Sequence, residues 1–138
     1  MESTSKMTTA RGLRLAVVLA SLAVCSATSA RSQIQTVEII AGKDNRFHLV
    51  SGEKILTLKA GEKVHFKITS EFGGEKSRDG SLHSFTVKKL RDQGWDVRLK
   101  EGVQEFDLTA PAPGEYLVEC TVKCGPGHDS MNLKMEVQ

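Results

Sequence analysis

Twelve residues toward the end of the chain, Cys120 to Met131, read Cys-Thr-Val-Lys-Cys-Gly-Pro-Gly-His-Asp-Ser-Met. No other stretch restricts the fold as much, because two thiols, an imidazole and a thioether in so short a span work together only if the chain turns back on itself. Cys120 and Cys124 are four positions apart and are followed by Gly125, Pro126 and Gly127. Glycine and proline there are turn chemistry, which returns His128 and Met131 to the neighbourhood of the two sulfurs. These donors are soft or borderline, and they suit copper better than magnesium or calcium.

The chain around this loop has the pattern of short strands. Val64, Phe66 and Ile68 alternate with His65, Lys67 and Thr69, which describes a strand with one dry and one wet face. Residues 36–40 and 55–59 are rich in β-branched side chains, and residues 104–109, 116–120 and 133–137 continue the series. Turn signals separate them, Lys59-Ala60-Gly61-Glu62-Lys63 early and Pro111-Ala112-Pro113-Gly114-Glu115 late. Helix signals reduce to one irregular turn around Leu90 to Trp95. Six to eight short strands in this length predict an all-β fold, an antiparallel Greek-key β-sandwich.

Residues 1–30 have a different character. Lys6, Arg11 and Arg14 precede the uncharged run Leu15 to Val24, and small residues Ser26 to Ala30 follow, the layout of a secretory signal peptide. The apolar run is too short to cross a bilayer, so no permanent membrane span is expected. Residues 31–138 are then one domain, with a periplasmic or secreted location. Of 19 basic and 17 acidic side chains, residues 1–30 hold Lys6, Arg11, Arg14 and Glu2, which leaves 16 of each for the domain. A near-neutral domain gives no support to nucleic-acid binding.

The spacing C-x3-C-x3-H-x2-M resembles the ligand loop of the binuclear copper (CuA) domain of cytochrome c oxidase subunit II and nitrous oxide reductase. The similarity covers nearly the whole of residues 31–138 and implies a cupredoxin-like sandwich in which this loop joins the last two strands. It implies that Cys120 and Cys124 bridge two copper ions, that His128 and the backbone carbonyl of Val122 serve them, and that Met131 shares one copper with a second histidine. His83, in Leu82-His83-Ser84-Phe85, stands in a similar His-Ser-aromatic context. Where many of those domains have glutamate this chain has Val122, a change that a backbone ligand tolerates. The membrane helices and aromatic-rich segment of the oxidase subunit and the propeller of the reductase have no counterpart, so the resemblance is to the copper module alone. Its implied role is one-electron transfer with a redox partner such as a small cytochrome.

Other readings of the same residues stand beside this one. Two nearby cysteines in an exported protein form a disulfide in many cases, although that leaves the His and Met offsets without a purpose. A mononuclear blue-copper site would use Cys124, His128, His83 and Met131 and leave Cys120 idle. Zinc would take the Cys and His ligands but has little use for methionine. Storage of copper, or delivery to a copper-accepting protein, would use the same ligand set. His48 and His65 have no metal-ligand spacing to a partner and are expected at the surface. Met135 is in phase with Leu133 and Val137 and is expected in the core, as is Trp95. No phosphate loop, nucleophile elbow or H-E-x-x-H motif is present, so an enzyme is not expected.

Overall fold

Val64, Phe66 and Ile68 are fully buried while His65, Lys67 and Thr69 remain partly exposed, so residues 64–69 have one dry face, as their alternation predicts. The structure, a computed structural model, describes residue 1 and residues 33–138. The signal peptide expected over residues 1–30 therefore lies, Met1 aside, outside the described residues. No helix among the described residues is long and apolar enough to cross a membrane.

The described residues form nine strands: β1 (Gln35–Ala41), β2 (Phe47–Leu49), β3 (Ile55–Leu58), β4 (Lys63–Ser70), β5 (His83–Thr86), β6 (Asp96–Leu99), β7 (Gly102–Thr109), β8 (Gly114–Glu119) and β9 (Asn132–Val137). Two of these, β2 and β6, go beyond the strands read from sequence, and β5 is the earlier strand that the resemblance implies for His83. Strands β2 and β6 are four residues or shorter, too short for alternation to stand out, and β5 is buried along its whole length. The irregular turn expected near Leu90 is a 3-10 helix at Lys88–Gln93.

The strands make two sheets, one in the order β2-β1-β4-β7 and one in the order β3-β9-β8-β5-β6. The all-β sandwich is the expected one, but its sheets are mixed rather than wholly antiparallel. The β1–β4 and β3–β9 pairs are parallel. A parallel pair needs a crossover, and here the connection between β1 and β4 passes through β3 of the other sheet.

The core between the sheets is built on aromatic contacts. Phe66 meets Phe85 with ring centroids 5.1 Å apart and Trp95 at 5.9 Å. Trp95 is fully buried and donates its indole N–H to Thr109 O at 3.1 Å, so it packs, as expected, rather than facing solvent. Met135 is also fully buried. Burial of side chains this large contributes about 2–3 kcal/mol each, which makes the sandwich a stiff support for the loops at its end.

The sheet pairing explains how the cysteine loop and His83 come together. Strands β8 and β9 are antiparallel from Gly114↔Val137 to Glu119↔Asn132, and Cys120 N–H then donates to Met131 O at 3.1 Å. Residues 120–131 are thus the connection of a hairpin whose mouth is closed by its first and last candidate ligands. Strand β5 runs antiparallel beside β8 with Thr86 opposite Glu119. Continuing that register sets Ser84 level with Thr121, and Ser84 Oγ accepts from Thr121 N–H at 2.8 Å. His83, one residue earlier, arrives at the loop.

Candidate metal centre

The loop closes by two tight turns. Gly125 has φ +123° and Gly127 φ +91°, conformations that side chains resist, which is why glycine flanks Pro126. His128 N–H donates to Gly125 O at 3.1 Å and Met131 N–H to His128 O at 3.0 Å, and residues His128–Ser130 form one 3-10 turn. That turn swings the imidazole and the thioether back over the cysteines.

The six residues predicted from sequence lie together. Cys120 and Cys124 are free and buried, with their sulfurs 3.8 Å apart. A disulfide would need about 2.05 Å, so these are two separate thiols. Cys124 Sγ is 3.4 Å from His128 Nδ1 and 3.7 Å from Met131 Sδ. Cys120 Sγ is 3.1 Å from Val122 O. His83, Cys120 and Cys124 offer ligand atoms that all lie within 4.8 Å of one another.

His83 is the informative member. Its Nε2 is 2.7 Å from Glu71 O, and because a carbonyl only accepts, Nε2 carries the proton. Nδ1 is left as a bare acceptor, buried and without a hydrogen-bond partner. An unanswered buried polar atom costs about 1–3 kcal/mol. A cation bound there would answer it, and the soft donor set suits copper. Burial pushes the His83 pKa down, keeping the ring in the neutral form that binds metals. Burial, with the Cys120 sulfur alongside, pushes the Cys124 thiol up to about 12. In the metal-free protein this thiol is protonated, and a metal ion has to displace that proton.

The segment after β4 packs directly behind these residues. Glu71 supplies the carbonyl to His83, its carboxylate accepts from Lys43 N–H at 3.1 Å, and Glu75 N–H donates to Cys124 O at 3.1 Å. The Gly-rich stretch from Glu71 to Gly80, readable in the sequence as a solvated connection or a docking surface, thus begins as a backbone support for two candidate ligands. Nothing in the sequence pointed to Glu71, because a backbone carbonyl has no side-chain signature. Ser84 was a quieter miss, visible only as the residue after His83.

Cys120, His128 and Met131 line a cavity of about 190 Å³ together with Lys88, Glu119 and Asp129. A larger groove of about 540 Å³ lies along β2, β3 and β9 and touches none of the six residues, so size alone does not mark the chemistry. His48 and His65 are elsewhere, bound to Asp44 at 2.8 Å and to Asp107 at 2.7 Å, and belong to the surface as expected. The Val122 side chain is buried, 2% exposed. The carbonyl that would serve as ligand belongs to the backbone, so the identity of this side chain bears on packing rather than on the donor.

No family model and no curated protein matches the chain. Solved structures match its fold. A heme-copper terminal oxidase dimer contains a chain 20% identical, with 79% of this chain and 68% of that one aligned at a TM-score of 0.57. The periplasmic domain of subunit II of cytochrome oxidase (CoxB) of Bradyrhizobium japonicum is 13% identical over 75% of this chain and 83% of its own, at 0.51. Auracyanin B is 20% identical over 75% and 88%, at 0.50. At these identities the likeness establishes the fold, the cupredoxin-like sandwich of oxidase subunit II domains and auracyanins.

Proposed function

We propose that this protein is an exported one-electron carrier whose site takes two copper ions. Residues 1–30 are its signal peptide, residues 31–138 its working domain, and its location is periplasmic or secreted. One observation carries the reading: two free buried thiols 3.8 Å apart lie within 4.8 Å of a ligand nitrogen of His83, whose Nδ1 is orphaned, with His128 and Met131 against Cys124. A single copper ion would leave the Cys120 sulfur without a role.

A thiolate-bridged copper pair supplies reversible one-electron transfer when bound. The chain's own residues do the rest. Cys120 and Cys124 would hold the coppers through their sulfurs, and His83, Met131, His128 and the Val122 carbonyl would supply the remaining donors. Glu71 O holds the His83 ring in one tautomer and one orientation. The hairpin closure between Cys120 and Met131 and the Ser84–Thr121 bond hold the loop to two strands of a packed sheet. Donors fixed this way move little when charge changes, which is what fast electron exchange requires. With every position filled from the chain, no place remains for a substrate, so the role is that of a carrier rather than an enzyme. A redox partner such as a small cytochrome is expected to dock without strong electrostatic steering.

The test is copper titration of the purified, reduced protein with electron-spin resonance of the loaded form. Two coppers per chain and a hyperfine pattern from an electron shared over two nuclei are expected. One copper per chain with a single-nucleus pattern would replace this reading with the blue-copper one.

Copper storage or delivery to a copper-accepting protein is the second reading. It is favoured by the cavity on which Cys120 and Met131 open, lined by the carboxylates of Glu119 and Asp129. Transfer of copper to a chelator faster than electron exchange with a small cytochrome would select it.

A further inference from the structure

Asn45 stands between β1 and β2, far in sequence from any candidate ligand. It is 1% exposed. Among the described residues it alone, glycines aside, has a positive φ, +55°. Its side-chain amide donates to Gly73 O at 2.9 Å and to Pro126 O at 2.7 Å. One carboxamide therefore joins three segments: its own turn, the support segment behind His83, and the ligand loop midway between Cys124 and His128.

The surroundings are shaped to this side chain. A Cβ added at Gly73 would overlap Asn45 Oδ1, and one at Gly125 would overlap the Gly73 carbonyl and come within 3.2 Å of Asn45 Nδ2. Gly73 is thus explained by the amide it accommodates, and Gly125 by its positive φ and by the carbonyl which that amide binds. Asn45 Oδ1 is itself buried without a partner. A site that keeps an orphaned acceptor and a left-handed backbone to obtain two donors is using those donors for something specific. Asparagine is the side chain that satisfies the position, since it tolerates positive φ and has two N–H groups on one short stem.

We infer that Asn45 is a positioning residue, which clasps the ligand loop to the His83 support and holds Cys124 and His128 in metal-binding shape before any metal arrives. The inference rests on the copper-site reading above. Without the clasp, the Gly-Pro-Gly turn is pinned near its middle only by its internal bonds and by the Glu75 N–H to Cys124 O contact. The separation of 3.4 Å between Cys124 Sγ and His128 Nδ1 would then be free to vary.

Two variants test this. Asn45→Gly keeps the backbone conformation and removes both donors. Asn45→Asp keeps the shape and turns lone pairs toward two carbonyls. Leu56→Ala, in the core on β3, serves as a control that destabilises without touching the site. In the metal-free variants, amide hydrogen exchange over residues 124–131 should accelerate by about tenfold or more while β4 and β7 keep wild-type protection. In the copper-loaded variants the hyperfine pattern and reduction potential should shift, and neither should shift in Leu56→Ala. Loop exchange and spectrum indistinguishable from the control would overturn the inference, as would failure of both Asn45 variants to fold, since the residue would then serve the fold as a whole. A wild-type protein that binds no copper would count against the metal reading, and the exchange experiment would still decide the clasp.

Discussion

Cys120 N–H and Met131 C=O meet at 3.1 Å, one step beyond the last β8–β9 pair, so the first and last donors of the loop are held by the same ladder that builds the sheet. The spacing of the two backbone positions that carry the thiol and the thioether is therefore a property of the sandwich. Side-chain changes at either end alter the chemistry and leave the frame.

Met131→Leu follows directly. The swap conserves volume at a buried position, so metal-free stability should fall by less than about 1.5 kcal/mol. Copper binding should persist with an altered reduction potential and spectrum, because the thioether alone is gone. Thermal unfolding and voltammetry check the two halves.

Cys120→Ser and Cys124→Ser should each abolish the two-copper signature, because each would remove one of the two sulfurs proposed to hold the coppers. Val122→Glu should leave copper uptake largely intact, because the ligand expected there is a backbone carbonyl, while a carboxylate in place of a side chain that is 2% exposed should cost about 2 kcal/mol or more of stability. Val122→Ile should instead keep both copper uptake and folding. Thermal midpoints with metal stoichiometry separate loss of the fold from loss of a ligand.

Glycine substitutions should be graded by space as well as by φ. Gly52 has φ +83° with nothing near its absent Cβ, so Gly52→Ala should cost about 1–2 kcal/mol for the left-handed backbone alone. Gly125→Ala adds an overlap with the Gly73 carbonyl and should cost more, with loss of copper binding. Denaturant unfolding of both variants, with and without copper, makes the comparison.

His65 provides the pH dependence. Its hydrogen bond to Asp107, with Glu105 also nearby, raises its pKa above the ordinary 6.5, and the same bond lowers that of Asp107 below 3.8. The raised group stabilises fully below pH 6.5 and loses its effect as pH climbs through the folded value. The lowered group stabilises above pH 3.8 and loses its effect as pH falls through its folded value. The difference in thermal midpoint between wild type and His65→Gln should be greatest between those two limits and shrink on either side of them. A difference that grows from pH 7 to 9 would contradict the pairing.

The sequence by itself determined the sandwich and the candidate donor residues. Residues 64, 66 and 68 had to share a dry face because a strand repeats every two positions, and the spacing from Cys120 to Met131 needed only Gly-Pro-Gly to close. Those are local relationships, readable within a dozen residues. What only the tertiary structure decided was the mixed pairing of the sheets, the arrival of His83 on a strand buried along its length, the burial of Val122, and the support from Glu71 and Asn45. Asn45 reaches partners 28 and 81 positions away, and in both cases the partner is a backbone carbonyl. Every residue has a carbonyl, so nothing in the order of side chains distinguishes the ones a folded chain will use.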